Sequence, residues 1–352
     1  MLHGGVSVDR ATRPGAPHPR RGAAASSANE RREPSTGPGD DRRDHPLNDE
    51  VHFIAVNYRG SSALPAYLRS LREQDSPSWR MTVVDNSEDR QETRSLIDIA
   101  GATPQVKIVR APRNLGYFGA AHWLTTHEDT VPATWTVVSN MDIRLATPTF
   151  VTDLLNLDGG APVVAPSVTA MPSGRAQNPY LVSRPDQLAM WRRRAMFANP
   201  IIGQAVVLAG AAKYHLRNRF TESSRAQRQA IYAPHGSIIP IHRRFFLAGG
   251  TLAHPVFLFA EEINIGEQCH RRGLAVRYEP SLKVIHQEHQ STHLLRSWRV
   301  LRAQGEAARY GQRLIAGKLP RAGSPLGTPA DGHGGGQHDN RGGPMRARSG
   351  TG

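Results

Sequence analysis

Between residues 51 and 140 the chain alternates short apolar runs with amphipathic segments, and polar residues stand at the ends of those runs. V-H-F-I-A-V-N-Y (51–58), M-T-V-V-D-N (81–86), V-K-I-V-R (106–110) and T-W-T-V-V-S-N (134–140) are rich in β-branched residues and read as strands. Residues 63–74 place Leu64, Tyr67, Leu68 and Leu71 at helical spacing, with Ser61 or Ser62 as the expected cap. Residues 89–100 read as a second helix. A turn at 114–119 leads into a third over 119–127. A β-α-β-α-β-α-β order predicts an α/β fold with a mostly parallel sheet and helices on both faces. Ligands of such sheets sit beyond the C-terminal strand ends. Asn57, Asp85, Asn114 and Asp142 lie at or just after those ends, which makes that edge the candidate site.

The second half is less regular. A helix is expected over 150–158 and strands over 162–168, 233–242, 274–280 and 282–286. A short helix with a glycine stop is expected over 243–250. Another over 262–272 ends at Gly273, a natural C-cap. Residues 175–230 are Arg-rich with weak periodicity and receive no assignment. A basic helix is expected over 293–315, with Leu294, Leu295, Trp298, Leu301 and Ala308 towards one face.

Residues 1–49 and 319–352 carry almost no large apolar side chains, so they are expected to be disordered tails. The remainder divides into 50–292, with halves at 50–145 and 146–292, and the helix within 293–318. The first 49 residues hold eight Arg against seven acids, and 319–352 hold four Arg against two Asp. About +11 of the formal net charge of +14 therefore belongs to the foldable part. A basic core favours anionic partners such as nucleotide phosphates, nucleic acid or an acidic membrane face. Cys269 is the single cysteine, so no intrachain disulfide is expected. The N-terminus shows no apolar signal region, and the apolar run at 201–212 is too short to span a bilayer. A cytoplasmic location is expected, free or peripheral on the inner face of the cell membrane.

Two acidic features carry the chemistry. F-L-F-A-E-E-I-N-I (257–265) delivers Glu261 and Glu262 from an apolar run, although carboxylates resist burial unless something uses them. V-S-N-M-D (138–142) ends a strand on Asn140 and Asp142. A strand-end Asp and a distant acid pair suggest a metal-assisted transfer with a carboxylate base. The plainer readings are a helix N-terminus stocked with acids against the macrodipole and an Asp that caps the next helix.

In order along the chain, V-N-Y-R near the first strand end, V-V-D-N-S-E-D (83–89), R-N-L-G-Y-F-G (113–119), V-S-N-M-D (138–142), P-H-G-S-I-I-P-I (234–241), F-L-F-A-E-E-I with Gly273, and V-I-H (284–286) make a set. Over about residues 50–290 this set resembles the family 2 glycosyltransferases of the GT-A fold, a Rossmann-like α/β architecture, especially their rhamnosyltransferase-like branch. The resemblance implies a nucleotide-sugar donor, dTDP- or UDP-linked and rhamnose among the candidates. It implies a glycan or polyprenyl-diphosphate-linked acceptor in cell-surface glycan assembly, such as cell wall or O-antigen.

The resemblance also implies roles. Asn57, Tyr58, Asp85 and Asn86 would meet the nucleobase and ribose, and Asn114 and Gly116 would approach the nucleotide or sugar. Asn140 and Asp142 stand at the DxD-like motif, where Asn140 replaces the first acid. Asp142 and His286 would hold Mg²⁺ or Mn²⁺. Glu262 would be the base of an inverting transfer, with Glu261 as helper. The segment Ala120–Trp123 departs from the small, Asn-rich stretch usual in the family and leaves sugar preference open. Arg192–Arg194 and the basic helix would rest on an anionic membrane surface or form a solvated charged face. Two other classes stay open: a catalytically inactive nucleotide-sugar-binding module, and a basic nucleic-acid-binding protein. For the latter the sequence lacks a recognisable reader motif, so no specific nucleic acid partner is expected.

Overall fold

A computed structural model describes residues 49–127, 133–199, 201–205, 227–287 and 298–318. The expected tails, apart from Asp49, and residues 288–297 with His289, His293, Leu294 and Leu295 lie outside the described residues.

The first half alternates as expected: β1 (Val51–Asn57), α1 (Leu64–Arg72), β2 (Trp79–Asp85), α2 (Arg90–Ala100), β3 (Val106–Arg110), α3 (Tyr117–His127) and β4 (Trp135–Asn140). β5 (Ile143–Leu145), α4 (Phe150–Leu155), β6 (Val163–Met171), β7 (Arg175–Ala176) and α5 (Gln187–Met196) follow. The chain continues through β8 (Gln229–Ile231), β9 (Ile238–His242), α6 (Arg243–Leu247), α7 (Glu261–Arg272), β10 (Val276–Gln287) and α8 (Trp298–Ile315).

One sheet runs β3-β2-β1-β4-β9-β6-β10-β5, with β7 on β6 and β8 on β10. Its first four strands are parallel, as are β6 and β10. β9 is antiparallel to both β4 and β6. The register puts Asn57 opposite Asp85 and Val56 opposite Asn140. β9 enters next to the exit of β4, with Ser139 opposite Ile238, so residues 234–237 lie on the edge where β1, β2 and β4 end. β10 runs parallel to β6 and delivers His286 to that same edge. The candidate residues therefore share an edge because of strand direction, before any side chain is considered.

Alternation along the strands divides the core. Phe53 and Ala55 point to a cluster with Tyr67, Leu68, Leu71, Leu96 and Phe150 from α1, α2 and α4. Ile54 and Val84 point to the other face, with Phe118, Leu124, Phe245, Ile265 and Cys269 from α3, α6 and α7. A third cluster joins α5, α7 and α8 through Met190, Ile263, Ala307, Tyr310 and Leu314. Each large buried aliphatic side chain of this kind stabilises the fold by about 2 kcal/mol.

Several local expectations need correction. Neither Ser61 nor Ser62 caps α1. They sit in a 3-10 turn (Ser61–Ala63), and the Ser61 amide and hydroxyl both donate to Glu92. The α2 cap is Asp89, whose side chain accepts from the Gln91 amide at 2.8 Å. α3 begins at Tyr117, two residues early, because Gly116 at φ +76 makes the turn directly before it. β9 begins at Ile238, not 233, since residues 234–237 form the site turn. The strands expected at 274–280 and 282–286 are one strand, β10, with a register shift between Glu279 and Lys283. The unassigned 175–230 region contains β7, α5 and β8. In α8, Leu301 and Ala308 are buried whereas Trp298 is exposed. Among the described residues no helix is long and apolar enough to cross a membrane.

Candidate active site

At the ends of β1 and β2 the polar residues satisfy one another. Asn57 and Asp85 are fully buried. Asn57 Nδ2 donates to Asp85 Oδ1 at 3.0 Å, Ser87 Oγ at 3.1 Å and Glu92 Oε1 at 3.1 Å, and its Oδ1 accepts from the Gly60 amide at 3.0 Å. Asp85 Oδ1 also accepts from the Ser87 amide at 3.0 Å, and Oδ2 from Thr93 Oγ1 at 2.6 Å. Asn86 donates to the Gly116 carbonyl at 2.8 Å and accepts from the Leu115 amide. Asn114 Oδ1 accepts from the Gly116 amide at 3.1 Å, closing an Asx turn. The space a Gly116 side chain would need is filled by the chain itself: a Cβ there would lie 1.9 Å from the Phe257 carbonyl oxygen. Gly116 thus permits close approach of the 257–260 loop to the start of α3. Tyr58 differs from these neighbours, with 57% of its surface exposed at this edge and the Arg59 guanidinium 5.7 Å from its ring centre.

At the end of β4 the polar groups do not cancel. His286 Nδ1 lies 2.9 Å from Gln177 Oε1. An amide oxygen only accepts, so Nδ1 carries the hydrogen. In the neutral ring Nε2 then presents its lone pair to Asp142 Oδ1 at 3.1 Å and to Asn140 Nδ2 at 3.5 Å. Asp142 Oδ1 is buried and makes no well-directed hydrogen bond. Two lone-pair donors facing each other call for a shared proton or a shared cation. Two adjacent ligands at about 2.1 Å from an octahedral Mg²⁺-sized ion stand about 3 Å apart, so this pair fits a divalent ion. The Gln177 bond would orient the imidazole as outer partners of metal-bound histidines do. Among the described residues no group of three or more His, Cys, Asp and Glu side chains gathers for a metal. Those described residues therefore offer a pair of such ligands rather than a cage.

The acid pair opens α7. Phe259 and Ala260 both adopt left-handed backbone, at φ +69 and φ +68. Each costs on the order of 1 kcal/mol for a non-glycine residue, and such strain persists where surrounding contacts over-determine it. Glu261 is buried, and its Oε1 accepts from the Phe259 amide at 3.0 Å. Burial, and then the neighbouring Glu262 charge, push its carboxyl up to about 8. Glu262 is only partly buried, and its Oε1 accepts weakly from the Gly236 amide at 3.3 Å. Burial raises its proton affinity too, opposed by its own amide, by Arg193 and by the Gly236 amide. A Cβ at residue 236 would lie 2.9 Å from Glu262 Oε1, so the glycine makes room for this carboxylate.

The turn 234–237 joins the two clusters. Its Gly236 amide reaches Glu262, and its Ser237 carbonyl accepts from the Asn140 amide at 2.9 Å. The His235 ring stands 6.3 Å from that of His286. Tyr117, at the start of α3, lies within electrostatic reach of Glu261, Glu262 and Asp142, and burial with those charges drives its proton affinity well up. Its buried hydroxyl makes no hydrogen bond among the described residues. In the sequence Tyr117 stands only as part of the 114–119 turn, with no sign of this place. Gln177 lies in the segment of weak periodicity and carries no local signal. The sequence marks Gly236 only as the entry to a strand, and nothing in it singles out His235.

Neither a protein-family profile nor a curated protein sequence matches the chain. Solved structures do. GalNAc-T7 with UDP, GalNAc and Mn²⁺ is similar at a TM-score of 0.51 and 14% identity, over 76% of this chain and 48% of that one. The mannosyltransferase PcManGT from Pyrobaculum calidifontis, in complex with GDP-Man and Mn²⁺, is similar at 0.47 and 13% identity, over 79% and 66%. S. aureus TarS 1–349 follows at 0.43 and 10%, over 76% and 71%. This chain spans about half the length of GalNAc-T7. With the sheet order and helix placement above, that likeness shows that the chain has the GT-A glycosyltransferase fold.

Proposed function

We propose that the protein is an inverting glycosyltransferase that moves a sugar from a dTDP- or UDP-linked donor, rhamnose among the candidates, to a hydroxyl of a glycan or lipid-linked acceptor. The observation that carries this reading is one short turn, 234–237, which ties a cation-fitting Asp142–His286 pair to a carboxylate of raised proton affinity, Glu262.

Asp142 and His286 would hold Mg²⁺ or Mn²⁺, which would neutralise charge on a departing nucleoside diphosphate. The remaining ligands would be diphosphate oxygens and water, as hard cations accept. Tyr58 offers its exposed ring for stacking against the base. Asn57, Asp85 and Asn86 shape the floor of the nucleotide site, since their side-chain oxygens and nitrogens already bond inside the protein, and Asn114 holds the turn beside it through Oδ1. Glu262 accepts the proton of the acceptor hydroxyl while that oxygen attacks the anomeric carbon and the diphosphate leaves. One displacement with one base inverts the anomeric centre. Burial raises the basicity of Glu262, and Arg193 with two amides keeps it ionisable. Glu261, protonated to about 8, is the helper: it bonds the strained step and keeps a second negative charge away from the base.

The test is turnover on a panel of UDP- and dTDP-sugars with Mn²⁺, read as released nucleotide and as the anomeric configuration of the product. The reading expects turnover with inversion for at least one donor, abolished in Glu262→Gln with donor binding kept. Equal turnover in Glu262→Gln removes this residue from its role. Donor binding without turnover on any acceptor would favour the inactive-module reading.

A further inference from the structure

The left-handed step at Phe259–Ala260 sets the direction in which α7 departs, and so where both glutamates point. No side chain caps the start of α7. What grips the step comes from elsewhere. His254 Nε2 lies 2.9 Å from the Phe259 carbonyl oxygen, which only accepts, so Nε2 carries the ring hydrogen. The buried Nδ1 has no hydrogen-bond partner among the described residues. The His254 ring is wedged between Phe118 of α3, at 6.0 Å, and Tyr310 of α8, at 5.4 Å and nearly perpendicular. Tyr310 then donates its hydroxyl to Asn264 Oδ1 at 2.9 Å. Asn264 in turn donates from its side chain to the Ala253 carbonyl at 3.1 Å and from its amide to the Ala260 carbonyl at 2.9 Å. The loop is thus held from both ends, at 253 and at 259–260, by α7 together with a helix that adds no strand to the sheet.

We propose that His254 and Tyr310 are positioning residues: they fix the left-handed step that aims Glu261 and Glu262 into the cleft, and through Tyr310 the C-terminal helix becomes part of the transfer machinery. This rests on the glycosyltransferase reading above. Neither residue touches the reacting atoms, so their effect falls on the rate of the chemical step and leaves donor binding at the β4 edge in place. An ångström of misplacement of a catalytic group is enough for a rate loss of about 100-fold.

The experiment compares kcat and donor KM for His254→Ala, His254→Gln, Tyr310→Phe and Glu262→Gln on the full chain with a UDP- or dTDP-sugar and Mn²⁺. Melting temperatures are measured alongside. We expect His254→Ala to lose about 30-fold in kcat with KM within about threefold. His254→Gln, whose amide can donate to the same carbonyl, should recover most of that loss. Tyr310→Phe, which keeps the ring packing, should lose about threefold to tenfold in kcat. Should His254→Ala fail to fold, Tyr310→Phe and His254→Gln decide. Wild-type kcat in Tyr310→Phe and His254→Ala, beside an inactive Glu262→Gln, overturns the positioning role alone. Full turnover in Glu262→Gln sinks the reading beneath it, and the positioning role with it.

Discussion

Two polar clusters share one edge of the sheet, and they differ in whether their hydrogen-bonding capacity is spent. At the ends of β1 and β2, Asn57, Asp85, Asn86, Ser87 and Glu92 bond one another and the local backbone. At the end of β4 and the start of α7, Asp142 Oδ1 and the Tyr117 hydroxyl are buried without a hydrogen bond among the described residues, and both glutamates are pushed towards protonation. Buried polar groups that satisfy each other build structure, whereas unsatisfied ones cost stability and are kept where a ligand completes them. Strand-end position alone does not separate the two cases.

Mutations should split along that line. The largest effect is expected from Glu262→Gln, with kcat down about 10²–10⁴-fold and donor binding unchanged, read by nucleotide release and by calorimetry. Asp142→Asn and His286→Ala should abolish the thermal shift that Mn²⁺ with a nucleoside diphosphate gives the wild type, while leaving the ligand-free melting temperature near its original value. Asp85→Asn should do the opposite. Its charge-assisted bonds are structural, so chemical denaturation should show a loss of about 1–3 kcal/mol, with kcat of the folded fraction retained. If Asp85→Asn instead spares stability and removes donor affinity, the contrast between the clusters fails.

A subtler effect is the pH dependence. Glu261 binds its proton more tightly folded than unfolded, so between its ordinary value and about 8 the folded state carries more protons. Stability therefore falls as pH rises through that window: the stabilisation is fully present below it, where both states are protonated, and is lost once pH passes about 8. Glu261→Gln should flatten the descent in melting temperature across this range; an unchanged slope would contradict the burial of the acid. The smallest change in stability is expected for Tyr117→Phe. Deleting a buried hydroxyl without a partner should leave stability equal or slightly higher, while slowing turnover about tenfold if that hydroxyl serves the substrate.

Much of the fold was legible because the periodic signals agreed. Strands near 51–57, 106–110 and 134–140 and the Gly273 cap are local properties of their residues. Phe259–Ala260 shows why the rest was not: two ordinary residues take left-handed backbone where His254, Asn264 and Tyr310 hold the loop, and those contacts join residues as far apart as His254 and Tyr310. The base contact expected at Asp85 rests on its strand-end position, whereas its bonds to Ser87 and Thr93, delivered by the next turn and helix, emerge only in the fold. Gln177 reaches His286 across 109 positions, a pairing that no window of sequence contains.

The joint use of the Asp142–His286 pair and Glu262 is tested most directly by the anomalous scattering of Mn²⁺ in crystals grown with a nucleoside diphosphate. The expected result is one peak within bonding distance of Asp142 Oδ1 and His286 Nε2, bridged to the diphosphate, with Glu262 across the cleft at about the width of a sugar ring. A diphosphate bound away from both side chains, or Mn²⁺ at another place with this pair still bare, would contradict the account.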